Sequence, residues 1–370
     1  MRAIKQLSGL IILITLIINC RPDKGFTIRG HIDGIEDGTL ITLYDLNQQI
    51  NLDSAFSTNG NFILKGLVED PTTCWIKCKD EYAIIQVENT QMIFNSPLKD
   101  MRLKSSITGG KEQALQNELN KLQYPYDLIY LSTYDSLMNK KYSNETDKQK
   151  LIKNFSESQN TSQEIYVNFG KKHTDSYLGL AIIYMNRKSI LKDSINLIYE
   201  NLTPKFKETS NAKALKIFLY EKLAQKGQPF IDFNAKTLKG EDFKLSSLKG
   251  NYIYLTFWSA GCGPCRMENR FLSKSFDEIP KNLSVVSFST DKNTKLWVEA
   301  SKSDSILWNN VSAIEGEFDK VKTIYEVQAI PTSFLIDRNG VIVEKFIGFD
   351  TDGVLIKQLK TLIDKTENKR

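Results

Sequence analysis

Apolar residues fall along this chain in three rhythms. Between residues 25 and 107 they come in short alternating or continuous runs: Phe26-Thr-Ile-Arg-Gly-His31, Leu40-Ile-Thr-Leu-Tyr44, Phe62-Ile-Leu-Lys-Gly66, Cys74-Trp-Ile-Lys-Cys78 and Ala83-Ile-Ile-Gln-Val87. Period-two alternation marks strands with one buried face, and Asp37-Gly38 and Asn59-Gly60 are turn signals between them. The expectation is a small antiparallel β-sandwich-like domain of seven or eight short strands over residues 25–107. Between residues 111 and 225 the period lengthens. Leu115, Leu119 and Leu122 recur at helical spacing, as do Leu215, Ile217, Phe218 and Leu223. This stretch predicts a helical connector of four or five helices, with the apolar residues 177–186 buried among them.

Gly227-Gln-Pro229 opens the third rhythm, which covers residues 227–368. An entry segment (residues 230–233), a Gly240-Glu-Asp turn and residues 245–248 lead to an apolar strand at 252–257. An amphipathic segment at 267–276, a second buried strand at 283–288 and helices at 292–301 and 318–325 follow. Two strands joined by Arg338-Asn-Gly340 then precede a last helix over 351–363. Strands alternating with helices predict an α/β sheet covered by helices on both faces.

The first twenty residues follow none of these patterns. Arg2 and Lys5 give a basic start, residues 10–18 are apolar apart from Thr15, and Asn19-Cys20 lead into polar Arg21-Pro22-Asp23-Lys24. The run falls short of the about 20 apolar residues a spanning helix needs, and reads as the core of a secretory signal peptide over residues 1–20. Its end at Cys20 resembles the lipobox of bacterial lipoproteins, where the thiol is lipidated and the chain is cut just before it. Asn19 departs from the small residue usual there. The resemblance implies attachment to a lipid membrane through Cys20 in the bacterial cell envelope, facing the periplasm. An ordinary signal peptide or a retained anchor also places the chain outside the cytoplasm.

The 370 residues suffice for two or three domains with real cores. A hydrophobic share of 41% and a charged share of 25% are ordinary for a globular protein. The net charge of +5 comes from bases interspersed with acids, which gives nucleic-acid binding no support. Besides Cys20 the cysteines are Cys74, Cys78, Cys262 and Cys265, too few for a disulfide-built exported scaffold. Cys74 and Cys78 stand four apart on one expected strand, about 13 Å from each other at the strand rise, too far for a bridge. They read as buried apolar residues.

Cys262-Gly263-Pro264-Cys265 lies between the apolar run ending in Phe257-Trp258 and an amphipathic segment. That puts Cys-X-X-Cys at a strand-to-helix turn, a pattern open by itself to redox chemistry, metal binding or coincidence. A zinc site needs four soft ligands, and the histidines, His31 and His173, are both distant in sequence. A peroxidatic Pro-X3-Thr-X2-Cys pattern is absent, because Ser259 and Leu255 stand three and seven positions before Cys262. In disulfide exchange the thiolate is the nucleophile. At a helix N-terminus Cys262 would meet unpaired amide N–H groups and the positive end of the helix dipole. In Cys-X-X-Cys motifs this can lower a thiol pKa from about 8.5 to about 3.5–7.5. Cys265, one turn later, is expected to be more buried and to resolve the mixed disulfide, with Pro264 starting the helix.

Here the chain resembles the thioredoxin superfamily and, within it, the TlpA/ResA-like envelope thiol-disulfide oxidoreductases, over residues 227–362. Gln228-Pro229-Phe230 with Leu248-Lys-Gly250, Phe257-Trp258 with Cys262-Gly-Pro-Cys265, Ile330-Pro331-Thr332, and Asp337-Arg-Asn-Gly340 with Gly348 carry the resemblance, in that order. It implies a thioredoxin-like fold over 227–368 and an enzyme with Cys262 and Cys265 as catalytic residues. Trp258, Gly263 and Pro264 would support them, and the redox-active disulfide would serve with no other cofactor and no metal. Pro331 would be a cis proline facing the cysteines, leaving the Ile330 backbone to pair with an extended substrate. Thr256 stands where cytosolic thioredoxins bury an Asp, while Glu268 matches a Glu of the TlpA/ResA-like proteins. The resemblance implies Glu268 as proton acceptor for Cys265, against the alternative of a solvated carboxylate on the helix face. Gly261 replaces an aromatic residue of many relatives and would open the substrate surface.

The Gly-Pro dipeptide resembles that of reducing thioredoxins. The implied function is reduction of disulfides in exported client proteins, with a membrane thiol carrier supplying electrons. Direction is set by potential rather than by motif, so a disulfide oxidase or isomerase stays open. The pattern of Gly30, Asp37-Gly38, Asp53-Ser-Ala, Asn59-Gly60-Asn-Phe62 and Gly66 is similar to an uncharacterised β domain that precedes thioredoxin domains in envelope lipoproteins. It leaves a further alternative, a binding lipoprotein whose β domain recognises a client, with redox activity secondary.

Overall fold

The structure is a computed structural model that describes residues 25–48, 50–316, 319–349 and 354–368. The signal segment with Cys20, and the expected helix starts at Phe318 and Thr351, lie outside the described residues.

Eight strands form two four-stranded sheets in the N-terminal region. One sheet contains β1 (Phe26–Asp33), β4 (Asn61–Gly66), β7 (Gln91–Pro97) and β8 (Ser106–Thr108) in the order β4-β1-β7-β8. The other contains β2 (Leu40–Asp45), β3 (Ile50–Phe56), β5 (Thr72–Cys78) and β6 (Glu81–Val87) in the order β3-β2-β5-β6. All pairs are antiparallel except β1 with β7, which is parallel. Alternation does what the sequence pattern predicts: on β5 Thr72, Cys74, Ile76 and Cys78 are buried while Thr73, Trp75 and Lys77 are half-buried on the other face. The inner faces share one core that includes Phe26, Ile28, Leu43, Ile76, Ile85 and Phe94. Cys74 and Cys78 sit in it as free, buried thiols, and burial pushes both pKa values up. The runs named from the sequence leave out β3, β7 and β8; on β3 and β7 exposed positions carry apolar residues such as Phe56 and Ile93 and blur the period-two signal, and β8 has only three residues.

A short helix α1 (Met101–Lys104) leads to a hairpin of two long helices, α2 (Lys111–Met138) and α3 (Glu145–Lys172). Each has 28 residues, about 42 Å at the helical rise. Asn144 caps α3 by accepting a hydrogen bond from the Asp147 amide. The Gln113 side chain accepts the Gln86 amide at 2.8 Å and Gln116 accepts the Gln86 side-chain amide at 3.0 Å, so α2 covers the β6 edge. Leu119 is fully buried, but Leu122, expected on the same apolar stripe, is about half exposed. Four further helices follow: α4 (Tyr177–Met185), α5 (Lys192–Glu200), α6 (Pro204–Lys207) and α7 (Ser210–Tyr220). α4 is buried over most of its length, as its composition predicts.

The C-terminal sheet has the order β10-β9-β13-β12-β11-β14-β15. Its strands are β9 (Asn234–Thr237), β10 (Asp242–Lys244), β11 (Tyr252–Trp258), β12 (Leu283–Ser289), β13 (Asn309–Ser312), β14 (Thr332–Ile336) and β15 (Ile342–Ile347). The helices are α8 (Gly263–Lys274), α9 (Thr294–Ser303), α10 (Lys320–Ile324) and α11 (Leu355–Glu367). Every residue of β11 is buried. Ile253, Leu255 and Phe257 pack into one core with Phe288, Tyr325 and Phe334, while Tyr252 and Tyr254 pack into a second with Leu272 and Leu359. Burial on both faces explains why β11 reads as a continuous apolar run.

The Gly179 amide donates to the Ser176 hydroxyl that caps α4, and a Cβ at Gly179 would stand 1.9 Å from the His173 carbonyl oxygen. The clash is with backbone and cannot be relieved by a rotamer change. Gly179→Ala is expected to cost about 1–3 kcal/mol through overpacking, read as a lower Tm of the helical circular dichroism signal. An unchanged Tm would show that the α3–α4 connection adapts freely.

Candidate active site

β11 ends at Trp258, and the chain turns through Ser259-Ala-Gly261 into α8. Cys262 is the N-cap of α8, and its sulfur accepts the Cys265 amide N–H at 3.2 Å. The first two helical positions are Gly263 and Pro264, so proline sits at the second rather than the first, still within the turn whose amides lack helical partners. Both residues are exposed. Cys262 and Cys265 are joined by a disulfide of 2.03 Å. Cys262 is 9% exposed and Cys265 only 1%, so a partner molecule can approach the first sulfur and not the second. Trp258 is buried against both cysteines and Trp297.

The loop is held from two sides. The Ala260 amide donates to both oxygens of Asp291, at 3.1 and 3.0 Å, and the Ser289 hydroxyl donates to Asp291 at 2.6 Å. Burial pushes the Asp291 carboxyl up against the opposing pull of these hydrogen bonds and of Arg266. Arg266 also donates to the Ala260 carbonyl at 3.2 Å and pairs with the fully buried carboxylate of Asp304, which Arg270 meets at 2.9 Å. Asp304 follows α9 directly, so this pair ties the first turns of α8 to the end of α9.

Behind the cysteines lies Glu268, 2% exposed and three positions after Cys265 on the same helix. The sequence leaves it open between a proton acceptor for Cys265 and a solvated carboxylate on the helix face; the structure buries it. The Tyr254 hydroxyl donates to Glu268 Oε1 at 3.0 Å, and Thr256 and Ser333 also hydrogen-bond the carboxyl. Ser333 donates to the Thr256 hydroxyl at 2.9 Å. Desolvation is the largest effect and raises the Glu268 pKa to about 7, with the three hydroxyls opposing it.

The Ile330–Pro331 peptide bond is cis. Pro331 is buried, and the Ile330 carbonyl oxygen lies 3.6 Å from Cys262 Sγ. The Thr332 hydroxyl donates to the Ala329 carbonyl at 2.6 Å, which closes the turn before β14. Thus Trp258, Cys262, Gly263, Pro264, Cys265, Glu268, Ile330 and Pro331 come together at the C-terminal end of β11. Tyr254, Asp291, Asp304 and Ser333 join them without having been marked by the sequence. Asp291 carried one available signal: it follows β12, whose neighbour is β11, and polar residues at the carboxyl ends of parallel strands gather at sites. No group of three or more His, Cys, Asp or Glu suited to a metal occurs among the described residues.

The chain is similar to known proteins in both of its end regions. Residues 226–345 match the AhpC/TSA family model, and residues 26–116 match a domain of unknown function, DUF4369. Thiol-disulfide oxidoreductase ResA of Bacillus cereus is 31% identical over 128 residues, which cover 34% of this chain and 72% of that protein. Thioredoxin-like protein YneN of Bacillus subtilis is 31% identical over 134 residues, with the same two shares. A solved thioredoxin domain of a thiol-disulfide oxidoreductase from Bacteroides vulgatus is 27% identical and covers 39% of this chain and 96% of its own, with a TM-score of 0.32. Through its C-terminal thioredoxin-like domain, the chain belongs to the ResA-like thiol-disulfide oxidoreductases.

Proposed function

We propose that this enzyme reduces disulfides of exported client proteins in the bacterial cell envelope, with Cys262 as nucleophile and Cys265 as resolving thiol. The observation that carries the reading is the Cys265 N–H aimed at the Cys262 sulfur on the helix end, with a buried carboxyl behind it. A sulfur that accepts an amide hydrogen bond at a helix N-terminus is favoured as the thiolate.

In the dithiol form, the Cys262 thiolate attacks one sulfur of the client disulfide. A Cys262–client S–S bond forms, the client S–S bond breaks, and the other client sulfur leaves as a thiolate that takes a proton from water. Cys265 gives its proton to Glu268 and attacks the Cys262 sulfur. The mixed disulfide breaks, the Cys262–Cys265 bond forms, and the second client sulfur leaves. The client gains two electrons and the enzyme ends as the disulfide. A membrane thiol carrier then returns two electrons by the same exchange. Trp258, Gly263 and Pro264 hold the pair in place, and Ile330 with Pro331 forms the rim where the client sulfur arrives. Anchoring through a lipidated Cys20 keeps the enzyme near that carrier. Among the described residues, no helix is long and apolar enough to cross a membrane.

Cys265→Ser should accumulate a mixed disulfide with a client or a model peptide, seen as a slower band on non-reducing electrophoresis, and adding Cys262→Ser should abolish it. A band that survives the double change would place the nucleophile elsewhere. A measured Cys262–Cys265 potential far below about −120 mV, the value of a strong oxidant, is expected. A value close to it would reverse the direction of electron flow.

Glu268 titrates about 7 in the fold and 4.5 as a free side chain, so burial favours its neutral form. Its contribution to stability is complete below pH 4.5 and is lost as pH rises through about 7, on the order of 3 kcal/mol in all. Its proton-accepting form grows over the same interval. In Glu268→Gln this component of the fall in stability should disappear, and the Cys265 pKa, read from thiolate ultraviolet absorbance, should move. An unmoved Cys265 pKa would refute the proton-acceptor role.

A further inference from the structure

The outer face of sheet β3-β2-β5-β6 is a large surface that the exchange chemistry leaves unused. Tyr44, Trp75 and Tyr82 form a row across three strands, with ring centroids 6.2 and 5.1 Å apart. Lys77 Nζ stands 4.6 Å from the Tyr44 ring centre and 4.5 Å from that of Trp75. None of the four is fully buried. Burial and then the charge of Asp291, the carboxylate that holds the Ala260 amide, push the Tyr44 hydroxyl pKa up, so the Tyr44 end of the row lies within electrostatic range of the reactive loop. An ion pair between Glu69 and Lys292, 2.9 Å long, joins the two regions on that side.

On the same sheet face, Thr73, Ile84 and Gln86 form one wall of a cleft of about 990 Å³, bounded by α2, α3 and α4 and by the turn ending at Ile330. Ile330 is the residue whose carbonyl lies 3.6 Å from Cys262 Sγ, so a single residue stands between the cleft and the exchanging sulfur. Its lining includes the primary amides of Asn120, Gln123, Gln163 and Gln328, and hydrogen bonds within the protein use one end of each of the first three, the Asn120 oxygen and the Gln123 and Gln163 NH2 groups. A primary amide both donates and accepts, as a peptide unit does. The charged lining residues, Arg102, Lys121, Asp127 and Lys322, are of mixed sign. Amides for main-chain pairing beside an aromatic row for side chains suit an extended polypeptide better than a small anion or a compact apolar ligand.

We propose that an extended segment of the disulfide-bearing client docks on this face, its side chains on Tyr44, Trp75 and Tyr82 and its main chain among the cleft amides, so that its disulfide meets Cys262 beside Ile330. The inference rests on the reading of Cys262–Cys265 as the exchanging pair, and it assigns the N-terminal β-domain a share of the substrate site.

The test uses the full chain in its oxidised form and a fluorescent, unstructured peptide of about 20 residues, long enough when extended to cross both surfaces, with serine in place of cysteine. Fluorescence anisotropy should show binding, and Trp75→Ala and Ile84→Glu should each raise Kd about tenfold. No binding to the native protein, or equal Kd for native protein and both variants, would overturn the proposal. Two variants guard against misfolding of one, checked by circular dichroism. The disulfide-bonded version of the peptide and glutathione disulfide then serve as substrates of the reduced enzyme. Trp75→Ala should lower the ratio of peptide to glutathione kcat/KM about tenfold, through KM, and an unchanged ratio would overturn the docking face. Native protein that binds the serine peptide with the expected losses, yet reduces neither disulfide, would support the docking face and refute the reductant reading.

Discussion

The hydrogen bond from the Cys265 amide to the Cys262 sulfur, 3.2 Å long, concentrates what the rest of the C-terminal domain makes possible. It requires the first cysteine to be a helix cap, the helix to begin where a strand ends, and that strand to be fixed in place. β11 satisfies the last condition because all seven of its residues are buried between two cores. Parallel pairing with β12 and antiparallel pairing with β14 then set Asp291 on one side of the cap and Pro331 on the other. The sulfur is thus positioned by an interior strand of a seven-stranded sheet, paired on both sides.

Three buried carboxyls around the site are treated in three ways. Asp304 faces two arginines, the pairing a fully buried charge requires. Asp291 takes an amide N–H and a serine hydroxyl, with Arg266 near enough to be felt. Glu268 has hydroxyls alone, from Tyr254, Thr256 and Ser333. Neutral donors compensate desolvation less fully than a cation does. This accounts for a Glu268 pKa near neutrality, the range in which a carboxyl can exchange a proton with a thiol.

Much of this was legible in the chain. Spacing and strand context put Cys262 and Cys265 at a helix start, and alternation on β5 separated Cys74 and Cys78 from Trp75 and Lys77. An antiparallel sandwich of seven or eight strands was expected, but the parallel β1–β7 pair was not, because strand periodicity reports faces and is silent on direction. Two kinds of residue escaped. Tyr254 and Ser333 look like ordinary members of buried strands, and only the register of β11 with β14 brings them to Glu268. Asp291 and Asp304 are single acids in a chain with many, and their meaning depends on the crossovers that carry them to Ala260 and Arg266. The outer face of β2, β5 and β6 was visible as alternating side chains, whereas its neighbour across the cleft was a matter of tertiary arrangement.

The burial of Cys74 and Cys78 on the inner face of β5 has a consequence for electron counting. Their thiols are shielded from solvent and held in the neutral form, so neither acts as nucleophile or leaving group while the fold persists. Among the described residues, one sulfur pair is therefore left to carry the proposed exchange, and that pair holds two electrons or none. The β-domain carries sulfur next to a redox enzyme without offering a side path along which those electrons could leak.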